Sequence, residues 1–417
     1  MLSLDHPEVC QTALQHPLGI HSIRIHGEGV PRLLLKLPVS YLLPIKLGHG
    51  FRIYVVPVDV ADVASYGLMC AFDDDDDEPL VCWRMLDDHP DTHDLLHALT
   101  RREVFVHLFD EQNRELAGYR AITDVPLEAK ARLDHLKFPR IDHAGYHAAT
   151  EEAKAWFGRR NPTDDAGAMR VKFVSPLFPD DQLIEDDRDH LYRFHGAKGR
   201  GFTTLERVEA GLPQELDIIL LLQRVFRPDQ IFHAPLRHYD NEEIADVVVL
   251  TDDVCLVIQA KDSPNTSQTL QRSIERKRTT TRKQLRSAIN QVVGALSYIK
   301  RTRPLRMRVD GEEVVVDLGQ RNILALVVVR ELFLDDYDAY SALLFNALGR
   351  GEHPCLALEY EELHSYTTFC PSPAQFLSAY FQVFDSAMEH GEFPRLRFGL
   401  NDVEALLQAQ EKTSGTE

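Results

Sequence analysis

Asp246, Gln259 and Lys261 have the types and spacing from which a divalent-cation site with a neighbouring ammonium can be built. The runs Val247 to Leu250 and Cys255 to Ile258 are almost wholly apolar and flank Thr251-Asp252-Asp253. They read as two strands of a sheet covered on both faces, joined by a tight turn. Such a hairpin sets the start of the first strand, Asp246, beside the end of the second, Lys261. Gln259 and Lys261 are two residues apart, so their side chains leave the same face. Leaving polar groups of this kind buried and unpaired costs several kcal/mol, so their position at the ends of apolar strands calls for a chemical reason. A carboxylate and an amide oxygen suit Mg²⁺ or Mn²⁺, which favour hard oxygen ligands. An ion held there polarises a phosphoryl oxygen and acidifies a bound water. An adjacent ammonium stabilises hydroxide and the charge that develops on phosphorus. The chemistry indicated is metal-assisted hydrolysis of a phosphodiester.

The elements around this hairpin supply further candidates. LPQELDIILLLQRVF reads as a helix with Pro213 in its first turn. Glu215, near its start, can give a second carboxylate to the cation, and Asp217 competes for that role. After the hairpin, TTTRKQLRSAINQVVGALSYIKR is an amphipathic helix with Leu285, Ile289, Val292, Val293, Leu296 and Ile299 on one side. From Arg272 to Arg308 the chain has twelve lysines and arginines, and Glu275 is the only acid in the helical part. Arg276, Lys277, Arg278, Arg282, Lys283 and Arg286 are the residues expected to grip a phosphate backbone.

Asp246, a hairpin, and then Gln259-Ala260-Lys261 resembles the PD-(D/E)xK nuclease superfamily, in the Q-x-K form of Mrr-type restriction endonucleases. The resemblance spans roughly residues 211 to 335. It implies that Asp246 and Gln259 bind the divalent metal and that Lys261 assists the attacking water. It also implies an acid-bearing helix before the core, which Glu215 matches. A helix with a polar residue near the site should follow the core, and Gln284 or Gln291 matches that. Two features depart from the family pattern: Ala245, not proline, precedes the aspartate, and neutral Gln259 stands where many members have an acid. The implied fold is α/β, a restriction-endonuclease-like mixed sheet flanked by helices in the C-terminal half.

Three regions are expected along the 417 residues. Residues 1–135 form an α+β recognition or interaction domain, 136–210 a partly helical connector, and 211–417 the nuclease-like domain. In the first region GFRIYVVPVDV is strand-like, with Pro57 ending the strand or lying at a sheet edge. PLVCWRML and EVFVHLF are further strands, and DEQNRE is a hairpin connection. In the last region QIFHAPLRH and NILALVVVREL are strands. YSALLFNALG is a helix ended by Gly349, CLALEYEEL is a strand leading into a turn, and SPAQFLSAYFQVFD is a helix capped by Ser372.

Other signals are weaker. Lys198 and Arg200 lie in a Gly-containing turn that does not fit a phosphate-binding loop. His143 and His147 are spaced i, i+4, but no glutamate follows His143, so they read as an exposed helix face. The run Asp73 to Asp77 with Glu78 lacks a calcium-loop pattern and reads as a solvated tip. Six cysteines occur without a C-x-x-C pair, which suits reduced thiols. Net charge is −19, yet the basic stretch lets one face attract phosphate. With neither a leader-like N-terminus nor an apolar run of membrane length, a cytoplasmic protein without membrane association is expected. The expected partner is DNA, with a defence-system protein or a second copy of the chain as further partners. The alternative reading is a catalytically inactive nuclease-fold subunit that binds DNA within a larger defence complex.

Overall fold

The computed structural model describes residues 1–395 and 398, apart from 61–62, 73–79, 140–142, 180 and 210. The chain divides into two compact units. The first comprises Met1–Ile184, Thr204–Glu206 and Asn265–Leu270. The second comprises Glu185–Thr203, Arg207–Pro264 and Gln271–Glu417. Both are α/β. Residues 136–210, expected as a connector, are shared between them, because much of this stretch pairs or packs inside one unit or the other.

The first unit is built on eight strands: β1 (Gly19–Ile23), β2 (Arg32–Lys36), β3 (Gly50–Val60), β4 (Val63–Phe72), β5 (Leu80–Met85), β6 (Glu103–Phe109), β7 (Glu115–Asp124) and β8 (Met169–Pro176). Their order is β1-β2-β6-β7-β8-β3-β4-β5, and all pairings are antiparallel except β2 with β6. Its helices are α1 (Leu2–Asp5), α2 (Glu8–Gln15), α3 (Val39–Leu47), α4 (Pro90–Leu99), α5 (Leu127–Asp134), α6 (His143–Gly158) and α7 (Pro162–Gly167). Alternation along β3 sorts its residues between two cores. Phe51, Ile53 and Val55 join Leu33, Leu68 and Val106 in one. Tyr54, Val56 and Val58 join Met69 and, from α6, Ala149 and Ala153 in the other.

Pro57 does not end β3. It stays paired with Tyr66 of β4, while β8 pairs only with Gly50 to Ile53. The missing N–H therefore falls where one side of the strand has no ladder to lose. The DEQNRE connection is a hairpin turn, but a buried one: Asp110, Glu111, Gln112 and Arg114 all have little exposure. Asp110 holds the turn by accepting from Gln112 N–H and Arg114 N–H, each at 2.9 Å. The Asp73 to Asp77 run and the His143 side chain lie outside the described residues.

The second unit begins near β9 (Ile184–Asp186) and β10 (Gly201–Thr203), which pair as a two-stranded sheet. Its main sheet follows α8 (Gly211–Leu222) and comprises β11 (Ile231–His233), β13 (Val247–Leu250), β14 (Val254–Lys261), β17 (Asn322–Val329) and β18 (Cys355–Glu359), in that spatial order. A separate three-stranded sheet holds β12 (Leu236–Arg237), β15 (Leu305–Val309) and β16 (Glu312–Val316). In the main sheet β11, β13 and β14 are antiparallel, and β14, β17 and β18 are parallel. Short α9 (Ser267–Leu270) belongs to the first unit; α10 (Ile274–Arg301), α11 (Tyr337–Gly351), α12 (Tyr360–Phe369) and α13 (Pro373–His390) belong to the second. Helix α10 packs on β14, β17 and α11, and α8 packs on β14, β11 and α12. Val254 to Ala260 are all buried, as continuous apolar strands between helices must be.

Three local expectations change. QIFHAPLRH is two strands, not one, because Ala234 at φ 45° and then Pro235 interrupt it. Helix α11 runs through Gly349 and stops at Glu352, which takes the left-handed conformation. CLALE leads directly into α12, for which Glu359 and Glu362 form a capping box. The Ser372 cap of α13 is present: its hydroxyl accepts from Gln375 N–H at 3.3 Å. Among the described residues no helix is long and apolar enough to cross a membrane.

Candidate active site at the ends of β13 and β14

The β13–β14 turn is closed by Thr251. Its N–H donates to Val254 O at 2.9 Å, and its hydroxyl accepts from Asp253 N–H and Val254 N–H at 3.2 and 3.0 Å. The register pairs Val247 with Ile258. One step further along the same ladder, Asp246 stands opposite Gln259, and directly opposed residues share a face. Asp246 is 6% exposed and its Oδ2 accepts Ala260 N–H at 2.6 Å. Its backbone carbonyl accepts from Ala234 N–H at 2.8 Å, which locks the entry to β13 against the exit of β11.

Gln259 is 2% exposed, and its amide has no hydrogen-bond partner among the described residues. Lys261, next on the same face of β14, is half-buried and likewise has no hydrogen bond or ion pair among the described residues. An acid, an amide and an ammonium thus come together where two strands end.

Glu215 lies in the first turns of α8 and is 21% exposed. Its Oε2 meets His233 Nε2 at 2.9 Å. Its charge is nevertheless close enough to act on Asp246. Burial first, and then the carboxyls of Glu243 and Glu215, push Asp246 up to about 7, against the opposing pull of Ala260 N–H. Asp217 is elsewhere: it is buried in an ion pair with Arg207 at 2.8 Å. Of the two acids left open by the sequence, Glu215 is the one whose charge acts on Asp246.

Gln284, on α10, donates to Asp262 O at 2.8 Å and to Ser263 Oγ at 2.9 Å, so it grips the chain just beyond Lys261. Gln291 is exposed and makes no such contact. Along α10 the expected phosphate-gripping residues divide into two groups. Arg278 is paired with Asp335 at 2.8 Å, and Arg282 with Asp336 through Nε at 3.0 Å. Arg276, Lys277, Lys283 and Arg286 have no ion pair among the described residues, and all but Lys277 are exposed. Arg200 is held by Glu185 and Asp189.

Two participants escaped sequence reasoning. His233 had no motif to mark it, because its role depends on β11 ending beside α8. Glu243 precedes Asp246 by three residues in a loop, and only the fold turns its carboxyl toward Asp246.

In the first unit, His16, His21 and Asp91 also bring three ligand-type atoms within 4.8 Å of one another. Arg84 occupies that cluster. Its Nη1 donates to Asp91 Oδ2 at 2.6 Å and lies 3.1 Å from His21 Nδ1. Ser22 N–H takes the other carboxylate oxygen at 2.9 Å. With a guanidinium already neutralising the aspartate, the cluster is a polar clasp between α4, β1 and β5, not a cation site.

No protein-family model matches this chain, and no curated protein matches it.

Proposed function

We propose that the second unit is a metal-dependent nuclease that hydrolyses phosphodiester bonds of DNA. The observation that carries this reading is the Gln259 amide beside the Asp246 carboxyl, with the Lys261 ammonium on the same face; among the described residues neither the amide nor the ammonium has a hydrogen bond or ion pair. The donors fit a hard divalent cation such as Mg²⁺ or Mn²⁺: the Asp246 carboxylate, hydrogen-bonded to Ala260 N–H and to Glu243, an amide oxygen without a hydrogen bond among the described residues, and the nearby carboxylate of Glu215. Asp246, Gln259 and Glu215 would hold the ion, which when bound polarises a phosphoryl oxygen and acidifies a water.

The chain's own residues do the rest. Asp246 must release its proton before it can ligate. The Lys261 ammonium stabilises the extra negative charge on phosphorus as the nucleophile adds. Arg276, Lys283 and Arg286 offer exposed positive charge to the phosphate backbone. The order acid-bearing helix, β13–β14 hairpin, α10 and β17 agrees with a restriction-endonuclease-like arrangement. The setting this reading favours is microbial defence against foreign DNA. The first unit would recognise a DNA feature, a partner protein or a second copy of the chain.

A second reading is a nuclease-fold subunit that binds DNA without cutting it. It is favoured by the neutral Gln259, by the raised pKa of Asp246 and by the engagement of Glu215 with His233, each of which lowers the negative charge available to a cation. Incubating plasmid DNA with Mg²⁺ and either the native chain or Lys261→Ala separates the two. Cleavage by the native chain alone supports the nuclease. Equal inertness with retained DNA binding supports the second reading. Parallel assays on single-stranded RNA and DNA fix the substrate.

A further inference from the structure

We infer that Cys70 and Cys82 form a site of oxidative modification in the first unit, where a hydroperoxide converts the two thiols into a cross-strand disulfide. This inference is independent of the nuclease reading. In the antiparallel pair β4–β5, Cys70 is the direct partner of Cys82. Opposed residues of such a pair point to the same face, with β-carbons about 4.5–5.5 Å apart, so closing the bridge draws them together by about 1 Å. Their α-carbons, at about 4.5–5.5 Å, fall inside the range a disulfide spans. Both cysteines carry free thiols.

The two sulfurs differ in access. Cys70 is fully buried among Phe51, Leu68 and Phe72, whereas Cys82 is half-buried at the rim of that cluster. The hydrogen bond with the Cys82 thiol, and then burial, hold Cys70 well above the ordinary thiol range. Cys82 is therefore the sulfur that meets an oxidant, and Cys70 the one that resolves it. In the first step the Cys82 thiolate attacks the peroxide O–O bond, taking one oxygen as sulfenic acid and, with one proton, releasing water when hydrogen peroxide is the oxidant. In the second, the Cys70 sulfur displaces that hydroxyl, forming the S–S bond and releasing a second water. Two thiols are oxidised and one peroxide is reduced to two waters.

The remaining described cysteines have no such geometry. Cys255 and Cys355 sit on β14 and β18, with β17 between them, and Cys370 caps α12. Closing the 70–82 bridge would staple β5, an edge strand, to β4, with the acidic run Asp73 to Glu78 inside the covalent ring.

The test is hydrogen peroxide treatment of the folded full-length chain, followed by denaturation, thiol alkylation and peptide mass analysis. The expected result is the loss of two of the six alkylatable thiols, a peptide linking Cys70 to Cys82, and recovery of both thiols with dithiothreitol. Cys82→Ser, a small change at a half-exposed position, should keep its remaining thiols through the same treatment. Three outcomes would overturn the inference: all six thiols still alkylated, a bridge that involves other cysteines, or Cys82 carried to sulfinic acid while Cys70 stays free.

Discussion

The Asp246 carboxylate accepts the backbone N–H of Ala260 at 2.6 Å, binding the first residue before β13 to the middle of the Gln259-Ala260-Lys261 triplet. This bond fixes the acid against the strand that carries the amide and the ammonium. The carboxyl also shares a hydrogen bond with the Glu243 carboxyl, which a cation would have to displace. Replacing Asp246 therefore disturbs a structural contact as well as a charge, so the conservative variant is asparagine.

The first prediction concerns pH and stability. The folded-state pKa of Asp246, about 7, lies above its ordinary value of 3.8. The protonated form therefore favours folding: that contribution is complete below about pH 4 and is lost as pH rises through 7. Asp246→Asn, which cannot ionise, should gain stability over the native chain between pH 5 and 9, by no more than about 3 kcal/mol. Urea unfolding of both proteins at the two pH values, in the presence of a chelator, measures this. An unchanged difference would place the Asp246 proton elsewhere.

The same proton governs cation binding. A ligand must shed its proton first, so apparent affinity for Mn²⁺ should fall about tenfold for each pH unit below 7. Titration calorimetry from pH 5.5 to 8 reads the slope. Flat affinity across that range would remove Asp246 from the coordination set.

Lys261 makes no hydrogen bond or ion pair among the described residues, so its loss should cost function and little stability. Lys261→Ala is expected to lower the rate of Mg²⁺-dependent DNA cleavage by at least about 100-fold, in the range seen when a group stabilising developing charge is removed. Thermal unfolding of the variant should stay within about 0.5 kcal/mol of native. A fully active variant would end the nuclease proposal.

The two acids of α8 should separate cleanly. Asp217→Ala strands the buried Arg207 charge and is expected to destabilise the second unit by about 3–5 kcal/mol. Glu215→Gln, at a partly exposed site, should leave stability nearly unchanged but weaken Mn²⁺ binding. If Asp217→Ala proves benign, the Arg207 pair is not holding α8 in place.

For nucleic acid, Arg276, Lys283 and Arg286 are the exposed cations of the first half of α10 without ion pairs among the described residues, whereas Arg278 and Arg282 are engaged by Asp335 and Asp336. Changing the first three to alanine should flatten the dependence of log affinity on log salt by about 3 at most. Changing Arg278 alone should have a smaller effect, because its charge is already offset. Fluorescence anisotropy across a salt series distinguishes them, and identical slopes would argue against an α10 interface.

Much of the second unit could be read from the chain because its signals are local. The apolar runs of β13 and β14, the Thr-Asp-Asp turn and the amphipathic period of α10 each arise within a few residues. The β15–β16 hairpin had a signal too: Asp310-Gly311 between alternating residues, which fold with positive φ at both. In the first unit, MRVKFVSP alternates cleanly, with Met169, Val171 and Phe173 buried. Nothing in that alternation says that this strand inserts between β7 and β3, because pairing partners are set by distant sequence. The Glu215–His233 contact and the Glu243 carboxyl were hidden for the same reason. They exist only once β11, the loop before β13 and the start of α8 have met.

Gln284 has a mechanical consequence. By holding the backbone just past Lys261, it couples the longest helix of the second unit to the last residue of β14. A polyanion laid along α10 would then be indexed to the ammonium: sliding the helix by one turn would carry Lys261 with it, or else break the amide's grip. Where along a bound strand Lys261 acts would be decided by this clamp, not by a flexible loop.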